Sequence, residues 1–479
     1  MSLAKNSILY LISTICIKAV GFLLLPLYTH LVSPTEYGYV YVVSAFQTFL
    51  GLFLTLSMHG SIGRFYFDCK NIGEIKQMYS QHVSSIALSA SCIVAIMLII
   101  KNPVSQFLNL PEKYYIYAVL ISFFSLFYNM VIALLYAMEQ AVRISITSIA
   151  VGASTIIMQL VLVFTMEDKA MALIFAMLFA AIVTFLIFII YSAPYFTLPR
   201  FKKTEIIKFY KYSISQLPSD VSVWFVAASD RLLLNKIQGA SAAGVYGMGN
   251  TLGQIPTMLF QSVNKAYVPY VFRHYKESEE GKADALNEVA DTAIKVESIL
   301  TVVVVSLIIL SNNIVSLLES RYIESTIIMP LVLIAVWVDC NRIIFMNPLA
   351  YNINYIKVKS LIWVLAAVLD VGLNLYLIPK YSVYGACASL IISYGLSCAL
   401  ILYYSKKAMN IRYDGRRLTT VFSVSLLFTL SYFIGSNLTS LIIKLPIIII
   451  YLIVIVYINN MQGIIKRYIS RYGKVFYNK

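Results

Sequence analysis

Long apolar stretches separated by short polar breaks are the feature that most limits how this chain can fold. They recur along most of its 479 residues. At about 1.5 Å per residue, a helix of about 20 residues crosses a hydrocarbon core about 30 Å thick. Of the residues, 60% are hydrophobic and only 12% charged, whereas a soluble domain is about 25% charged. A soluble enzyme, a secreted disulfide scaffold and a disordered chain are therefore excluded, and the sequence predicts an all-α polytopic membrane protein.

The apolar stretches predict about 14 transmembrane helices. They lie near 6–31, 35–59, 77–101, 112–138, 142–165, 170–193, 209–236, 240–270, 284–310, 322–350, 358–378, 382–405, 417–436 and 439–460. The longest of them, 240–270, must tilt or protrude from the bilayer.

Basic residues set the predicted orientation. If the N-terminus is cytoplasmic, 25 of the 37 lysines and arginines fall on inner segments and 5 on outer loops. This bias places both termini in the cytoplasm. It also accounts for the net charge of +15 without nucleic acid as a partner. No outer loop exceeds about 13 residues, which leaves no room for an extracytoplasmic catalytic domain.

Two long basic inner loops divide the spans into six, six and two. The predicted domains are an N-lobe (1–193), a basic linker (194–208), a C-lobe (209–405), and a last part (406–479) with a basic loop, two further helices and a basic tail. The two six-helix lobes look like copies in the same orientation, which is a parallel repeat. Secondary transporters built from such repeats bind substrate where the repeats meet.

A polar stripe supports this repeat. A shift of 206 residues places Gly38 on Gly244, and the helix that follows carries polar residues three or four apart in both copies. Ser44, Thr48, Gly51, Thr55 and His59 fall on Asn250, Gln254, Thr257, Gln261 and Lys265.

Charged residues inside predicted spans are costly and usually have a task. Lys18 lies near the middle of the first span, with no acid one turn away. On the seventh, Ser213, Gln216, Asp220 and Trp224 share a face that reaches Arg231. Asp291–Lys295 and Asp339–Arg342 have helical pair spacing and are open to two readings: functional groups, or pairs that neutralise each other for insertion.

No motif predicts a cofactor. The four histidines, His30, His59, His82 and His274, lack metal-site spacing. GxxxxGK[ST], GxGxxG and HExxH are all absent from the sequence. We therefore expect no metal, no nucleotide and no catalytic residues.

Four segments have a family-like pattern: LPLYTHLVSPTEYGYVYVVSAFQTFL (25–50), ASDRLLLNKIQGASAAGVYGMGN (228–250), AYNINYIKVKS (350–360) and LNLYLIPKYSVYGACASLIISY (373–394). Together they resemble the bacterial polysaccharide (O-antigen) flippases of the multidrug, oligosaccharidyl-lipid and polysaccharide exporter superfamily. The resemblance implies two lobes around a cavity that opens alternately to either side of the bacterial inner membrane. It implies as substrate an oligosaccharide repeat unit on undecaprenyl pyrophosphate. Membrane lipids, a polysaccharide polymerase and the chain-length machinery are the partners to expect of such a carrier.

On this basis we hypothesise a basic substrate site. Its candidate residues are Lys18, His59, Arg64, Gln254, Gln261, Lys265, Lys295 and Arg342, and the candidates for ion coupling are Asp220, Asp339 and Asp370. Three alternatives stay open at this point: a cation-coupled drug antiporter, a peptidoglycan-precursor flippase and an integral-membrane polysaccharide enzyme. Lys18 in KAVGF stands where precursor flippases carry a cation, but Leu24 replaces their second basic residue. Drug exporters often carry an acid in the first helix, which is absent from this first span.

Overall fold

A computed structural model describes residues 17, 19–280, 284–351, 355–409, 411–434 and 440–459. Every regular element within these ranges is a helix, so the protein is all-α, as predicted. The helices are α1 (Ala19–Leu31), α2 (Pro34–Thr55), α3 (Met58–Tyr66), α4 (Ile72–Ile99), α5 (Lys101–Phe107), α6 (Glu112–Ala137), α7 (Ala141–Thr165), α8 (Lys169–Ser192), α9 (Lys203–Gln238), α10 (Ala240–Gly253), α11 (Ile255–Glu279), α12 (Ala285–Val315), α13 (Ser325–Phe345), α14 (Asn347–Tyr351), α15 (Ile356–Met409), α16 (Gly415–Ile434) and α17 (Leu441–Ile458).

Within the described ranges, nine helical stretches are long and apolar enough to span a bilayer. One of them, Lys357–Met409, runs over two predicted spans, 358–378 and 382–405. The helix α9, which covers the predicted span 209–236, is not among the nine and carries Asp220, Asp230 and Arg231 in its interior. The protein is thus a multi-pass membrane protein, while the number 14 stays a prediction.

Several helices are interrupted inside segments that are continuously apolar in the sequence. Leu56 and Ser57 have left-handed φ values of 46° and 57° and separate α2 from α3. A break at Gln254 divides the predicted span 240–270 into α10 and α11. Ser382, with φ 52° and ψ −130°, interrupts α15. Hydropathy reports apolar length only, so it does not detect a break within an apolar segment.

Capping residues fix where two of the helices begin. Ser33 and Glu36 form a capping box in which each side chain accepts from the other's backbone N–H, and Pro34 occupies the first turn of α2. Asp168 caps α8 by accepting from the Met171 N–H at 2.9 Å. Lys113 Nζ lies 2.5 Å from the same carboxylate, and the Tyr114 hydroxyl donates to it at 3.0 Å.

The chain forms two compact units. The first comprises residues 1–248 and 363–389, and the second comprises 249–362 and 390–479. In the first unit α2 packs on α6 and α9, and α6 packs on α8. In the second unit α12 packs on α11, α13, α16 and α17. The predicted division into two lobes at the linker 194–208 describes an internal sequence repeat and not which residues pack into a compact unit. It stays a prediction.

Two glycines let α2 and α10 cross closely within the first unit. A methyl group at Gly38 would overlap the carbonyl oxygen of Ala240, and one at Gly244 would overlap the carbonyl oxygen of Pro34. The contact is reciprocal, because the shift of 206 residues that relates Gly38 to Gly244 also relates Pro34 to Ala240. This is the contact pattern expected of two copies related by a twofold axis.

Arg417 joins three helices of the second unit. Its guanidinium forms an ion pair with Asp291 of α12, which is also 2.5 Å from Lys295 Nζ. Its Nε donates to the side chain of Asn459, just after α17, at 2.9 Å, and its Nη2 donates to the Asn459 carbonyl oxygen at 3.0 Å. The additional helices α16 and α17 are thereby fastened to α12.

Candidate functional site

A polar cavity of about 540 Å³ lies between α2 and α9 in the first unit. Two helical faces supply its walls. Its lining residues are Ser44, Thr48 and Leu52 of α2, and Asp220, Val223, Trp224, Ala227, Ala228 and Arg231 of α9. On each helix these positions recur at intervals of three and four residues, so one face of each helix points into the cavity. The polar stripe predicted on α2 and the polar face predicted on α9 therefore lie against the same space.

Trp224 ties the two walls together. Its indole N–H donates to the Thr48 hydroxyl oxygen at 3.0 Å, and its ring centroid lies 4.5 Å from that of Phe49. The Thr48 hydroxyl in turn donates to the Ala45 carbonyl oxygen at 2.9 Å. The hydrogen-bond acceptor Thr48 and the contacting ring of Phe49 both belong to α2, so they hold the indole against that helix at the cavity wall.

Opposite charges stand at the two ends of the α9 wall. Asp220 accepts from the Ser57 hydroxyl at 2.6 Å, and none of the described cations forms an ion pair with it. Arg231 lies eleven residues later, roughly 16 Å along the helix, with its guanidinium 5.7 Å from the ring centroid of Tyr41. Its Nε is buried and makes no hydrogen bond to the described residues. Both charged residues thus line the cavity.

A second cavity of about 180 Å³ adjoins the first and shares Thr48 and Leu52 with it. Its other lining residues are Gln47, Gly51, Thr55, Ser122, Ser125, Leu126 and Asn129. None of these carries a formal charge. Amides and hydroxyls both donate and accept hydrogen bonds, which matches the donors and acceptors of sugar hydroxyl groups. The two cavities together offer one charged, aromatic compartment and one neutral, polar compartment.

Three residues of the hypothesised basic site lie outside the part that the structure describes: Lys18, and the side chains of His59 and Lys265. Arg64 lies at the end of α3 and forms an ion pair with Asp68 at 2.8 Å. The hydrogen bond from Arg64 lowers the pKa of the Asp68 carboxyl group, and the charge of Lys208 acts in the same direction.

The remaining predicted residues make contacts within their own neighbourhoods. Gln254 hydrogen-bonds to Thr257 and Asn250, and Gln261 is exposed. Lys295 pairs with Asp291, and Arg342 is a buried partner of Asp339 at 2.6 Å. Asp370 accepts from the Asn374 amide at 3.0 Å. Their roles in substrate binding and ion coupling stay predictions.

The cavities contain groups beyond the hypothesised set. Arg231 and Trp224 belong to the predicted α9 face, and their spacing from Asp220 already indicated a common side. Ser122, Ser125 and Asn129 have the spacing of one helical face in an otherwise apolar segment. That periodicity was the available signal for the neutral cavity.

The comparisons with known proteins agree with this architecture. Residues 3–275 match the model of the family described as "Polysaccharide biosynthesis protein". An "Uncharacterized membrane protein" of Haemophilus influenzae is 24% identical over 296 residues, which cover 58% of this chain and 67% of that protein.

Two solved structures show the same fold. "Lipid II flippase MurJ, inward closed conformation" superposes with a TM-score of 0.76 at 14% identity, over 96% of this chain and 100% of that chain. An inward-facing "multidrug resistance MATE family transporter of the MOP superfamily" gives 0.62 at 15% identity, over 86% and 95%. The chain shares the fold of these two proteins, and the family match over more than half of its length shows that it belongs to the polysaccharide biosynthesis protein family.

Proposed function

We propose that the protein flips an undecaprenyl-pyrophosphate-linked oligosaccharide repeat unit from the inner to the outer leaflet of the bacterial cytoplasmic membrane. It would do so as a transporter and not as an enzyme. The observation that carries this proposal is the pair of adjoining cavities on α2, α6 and α9. A hydrocarbon environment makes unpaired polar groups expensive, so such a collection of polar side chains favours a polar cargo.

The chemistry of the walls fits a glycan with an anionic linkage. Sugar hydroxyls would bond to Asp220 and to the side-chain amides of Gln47 and Asn129, and the Trp224 ring would pack against a sugar face. Arg231 supplies a planar fork of donors suited to phosphate oxygens. In a low-dielectric cavity its attraction for the pyrophosphate is stronger than it would be in water.

The wider transport cycle is part of the same proposal. Two six-helix lobes, 1–193 and 209–405, would open alternately to either side, with both termini in the cytoplasm. Lys18, His59 and Lys265 would add positive charge for the pyrophosphate. A polymerase and chain-length proteins would use the flipped product.

The test is complementation of a deletion strain that accumulates unflipped lipid-linked repeat units. Arg231→Ala should reduce the rate of flipping by about tenfold or more, because a hydrogen bond to a charged group is worth about 1.5–3 kcal/mol. The matched control is Arg143→Ala, which removes an exposed arginine stacked on Tyr191 outside both cavities and should leave the rate unchanged. Protein abundance is measured for every variant.

Cargo class is tested with purified protein in vesicles. The lipid-linked repeat unit, a peptidoglycan lipid precursor and a lipophilic drug cation are each offered separately. Movement of the repeat unit alone supports the proposal. Equal or better movement of either of the others refutes this cargo, as does full activity of Arg231→Ala.

A further inference from the structure

A carboxylic acid that lines neither of the two cavities is buried in the second unit. Glu297 lies on α12 and is 3% exposed, roughly 18 Å along the helix from its first residue. No described lysine, arginine or histidine forms an ion pair with it. A lone carboxylate this deep in a membrane-spanning helix is expensive to keep ionised.

A hydrogen-bond relay holds one oxygen of this acid. The Trp337 indole N–H donates to the Thr301 hydroxyl oxygen at 2.8 Å, and the Thr301 hydroxyl donates to Glu297 Oε1 at 2.7 Å. Thr301 is fully buried and Trp337 nearly so. The relay fixes the plane of the carboxyl group. The other oxygen, Oε2, is buried and receives no hydrogen bond from the described residues.

The carboxyl group borders a cavity of about 300 Å³. Most of the wall is apolar and includes the rings of Trp337 and Phe422, which stack with centroids 4.8 Å apart. At about 30 Å³ per molecule, the space is sufficient for several waters. Water there would give Oε2 a route for proton exchange that the packed side of the group lacks.

Most of the described charged groups on α12 and on its neighbouring helices have partners other than Glu297. Lys295 and Arg417 share Asp291, and Arg342 of α13 is bound to Asp339. On α17, Lys444 donates to the Asn313 amide oxygen at 2.7 Å, and on α11 His274 lies 3.3 Å from Glu288. Lys359 of α15 lies near Arg342. Cys398 of α15 lines the same cavity, and Tyr451 of α17 is buried.

We propose that Glu297 is a proton-binding site, which takes up a proton on Oε2 from the cavity and releases it to the same space. In the uptake step a hydronium ion in the cavity loses one O–H bond and becomes water, while Oε2 gains one O–H bond and the carboxylate becomes the neutral acid; release is the reverse. It does not depend on which cargo the cavities of the first unit bind.

A metal cation fits this cavity less well than a proton. Hard cations take six or more oxygen ligands, and oxygen-bearing side chains are few in this wall: Glu297, Asn341, Thr419 and Ser423. A proton needs only the free lone pair of Oε2.

Trp337 provides a reporter for the test, because the protein has only three tryptophans. Trp224→Phe and Trp363→Phe leave Trp337 alone in the full-length protein, purified in detergent. Its emission should change with pH in a single-proton transition, and Glu297→Gln should abolish that transition. The matched control is Glu288→Gln, which alters an exposed acid on the same helix and should preserve it.

Infrared spectroscopy reads the same proton without the indole. The carbonyl absorption of protonated carboxylic acids should grow on acidification, and the Glu297→Gln protein should lack one component of it that the wild type shows. Thr301→Val cuts the relay, so it should keep the infrared band but weaken the response of Trp337. The proposal is overturned if the single-tryptophan protein shows no pH transition, if Glu297→Gln retains both signals, or if sodium in place of choline at fixed pH changes the emission instead.

Discussion

The reciprocal crossing of α2 and α10 supports a prediction about stability. In Gly38→Ala the new methyl group meets the backbone carbonyl oxygen of Ala240, which cannot rotate away as a side chain can. An ordinary carbon–oxygen separation is about 3.3–3.6 Å, so the methyl group and the carbonyl oxygen have to move apart by roughly 1.5 Å or more. Overpacking of this kind costs about 1–3 kcal/mol of the free energy of unfolding.

A control substitution, Gly372→Ala, should change the free energy of unfolding in the opposite direction or not at all. Gly372 lies in α15 with no atom within 4 Å of an added methyl group. Gly372→Ala should therefore be neutral or stabilising by about 0.5–1 kcal/mol, since alanine loses less backbone entropy than glycine in a helix. The measurement is thermal unfolding of both purified variants in the same detergent, followed by the loss of the monodisperse peak in size-exclusion chromatography.

The double variant tests reciprocity. Gly244→Ala places a second methyl against Pro34 at the same crossing. Once the helices have separated for one methyl, the second costs less, so Gly38→Ala with Gly244→Ala should destabilise by less than the sum of the two single changes. Fully additive losses would show that the two glycines act independently. A Gly38→Ala protein as stable as the wild type would refute the close crossing itself.

Two further predictions concern charged groups. Arg342→Met leaves Asp339 as a charge inside α13 without its ion-pair partner and should cost about 3–5 kcal/mol of unfolding free energy, whereas Asp339→Asn added to it should restore part of the loss in the same thermal assay. At the start of α8, partial burial acts against ionisation, yet hydrogen bonds from Lys113, Met171 and Tyr114 hold the pKa of Asp168 below its usual value. Stability from this group is present above its unfolded pKa of about 3.9 and disappears as the pH falls toward the lower folded value. Asp168→Asn keeps a capping side chain but should flatten the change in unfolding temperature between about pH 6 and about pH 3, and an unchanged slope would show that the carboxylate contributes nothing.

The sequence was sufficient for the helical architecture and for the polar faces of α2 and α9 that form the walls of the charged cavity. Apolar length predicts helices, and three- and four-residue spacing predicts which side of α2 or α9 is polar. The breaks at Leu56, Ser57 and Ser382 escaped prediction because they depend on individual backbone angles. That the polar sides of α2 and α9 meet is a tertiary fact that periodicity does not contain.

Some residues of the cavities were not singled out from the sequence, for similar reasons. Ser125 and Asn129 are uncharged and therefore stand out little in an apolar helix. Glu297 is visible in the sequence, but its significance depends on a relay to Trp337, forty residues later on another helix. Conversely, Asp291–Lys295 and Asp339–Arg342 were recognisable because helical spacing alone brings each pair together.

The junction at Arg417 has a consequence for biogenesis. Asp291 enters the bilayer on a helix that already carries Lys295 one turn away, so the pair is close to neutral before the rest of the chain has been synthesised. Arg417 and Asn459 are synthesised much later. By then the Asp291 carboxylate, with which Arg417 pairs, is already in place on α12. The helices α16 and α17 can therefore pack against α12 through Arg417 only after Arg417 has been synthesised. A chain whose synthesis stops before Arg417 would still insert Asp291 and Lys295 as an ion pair.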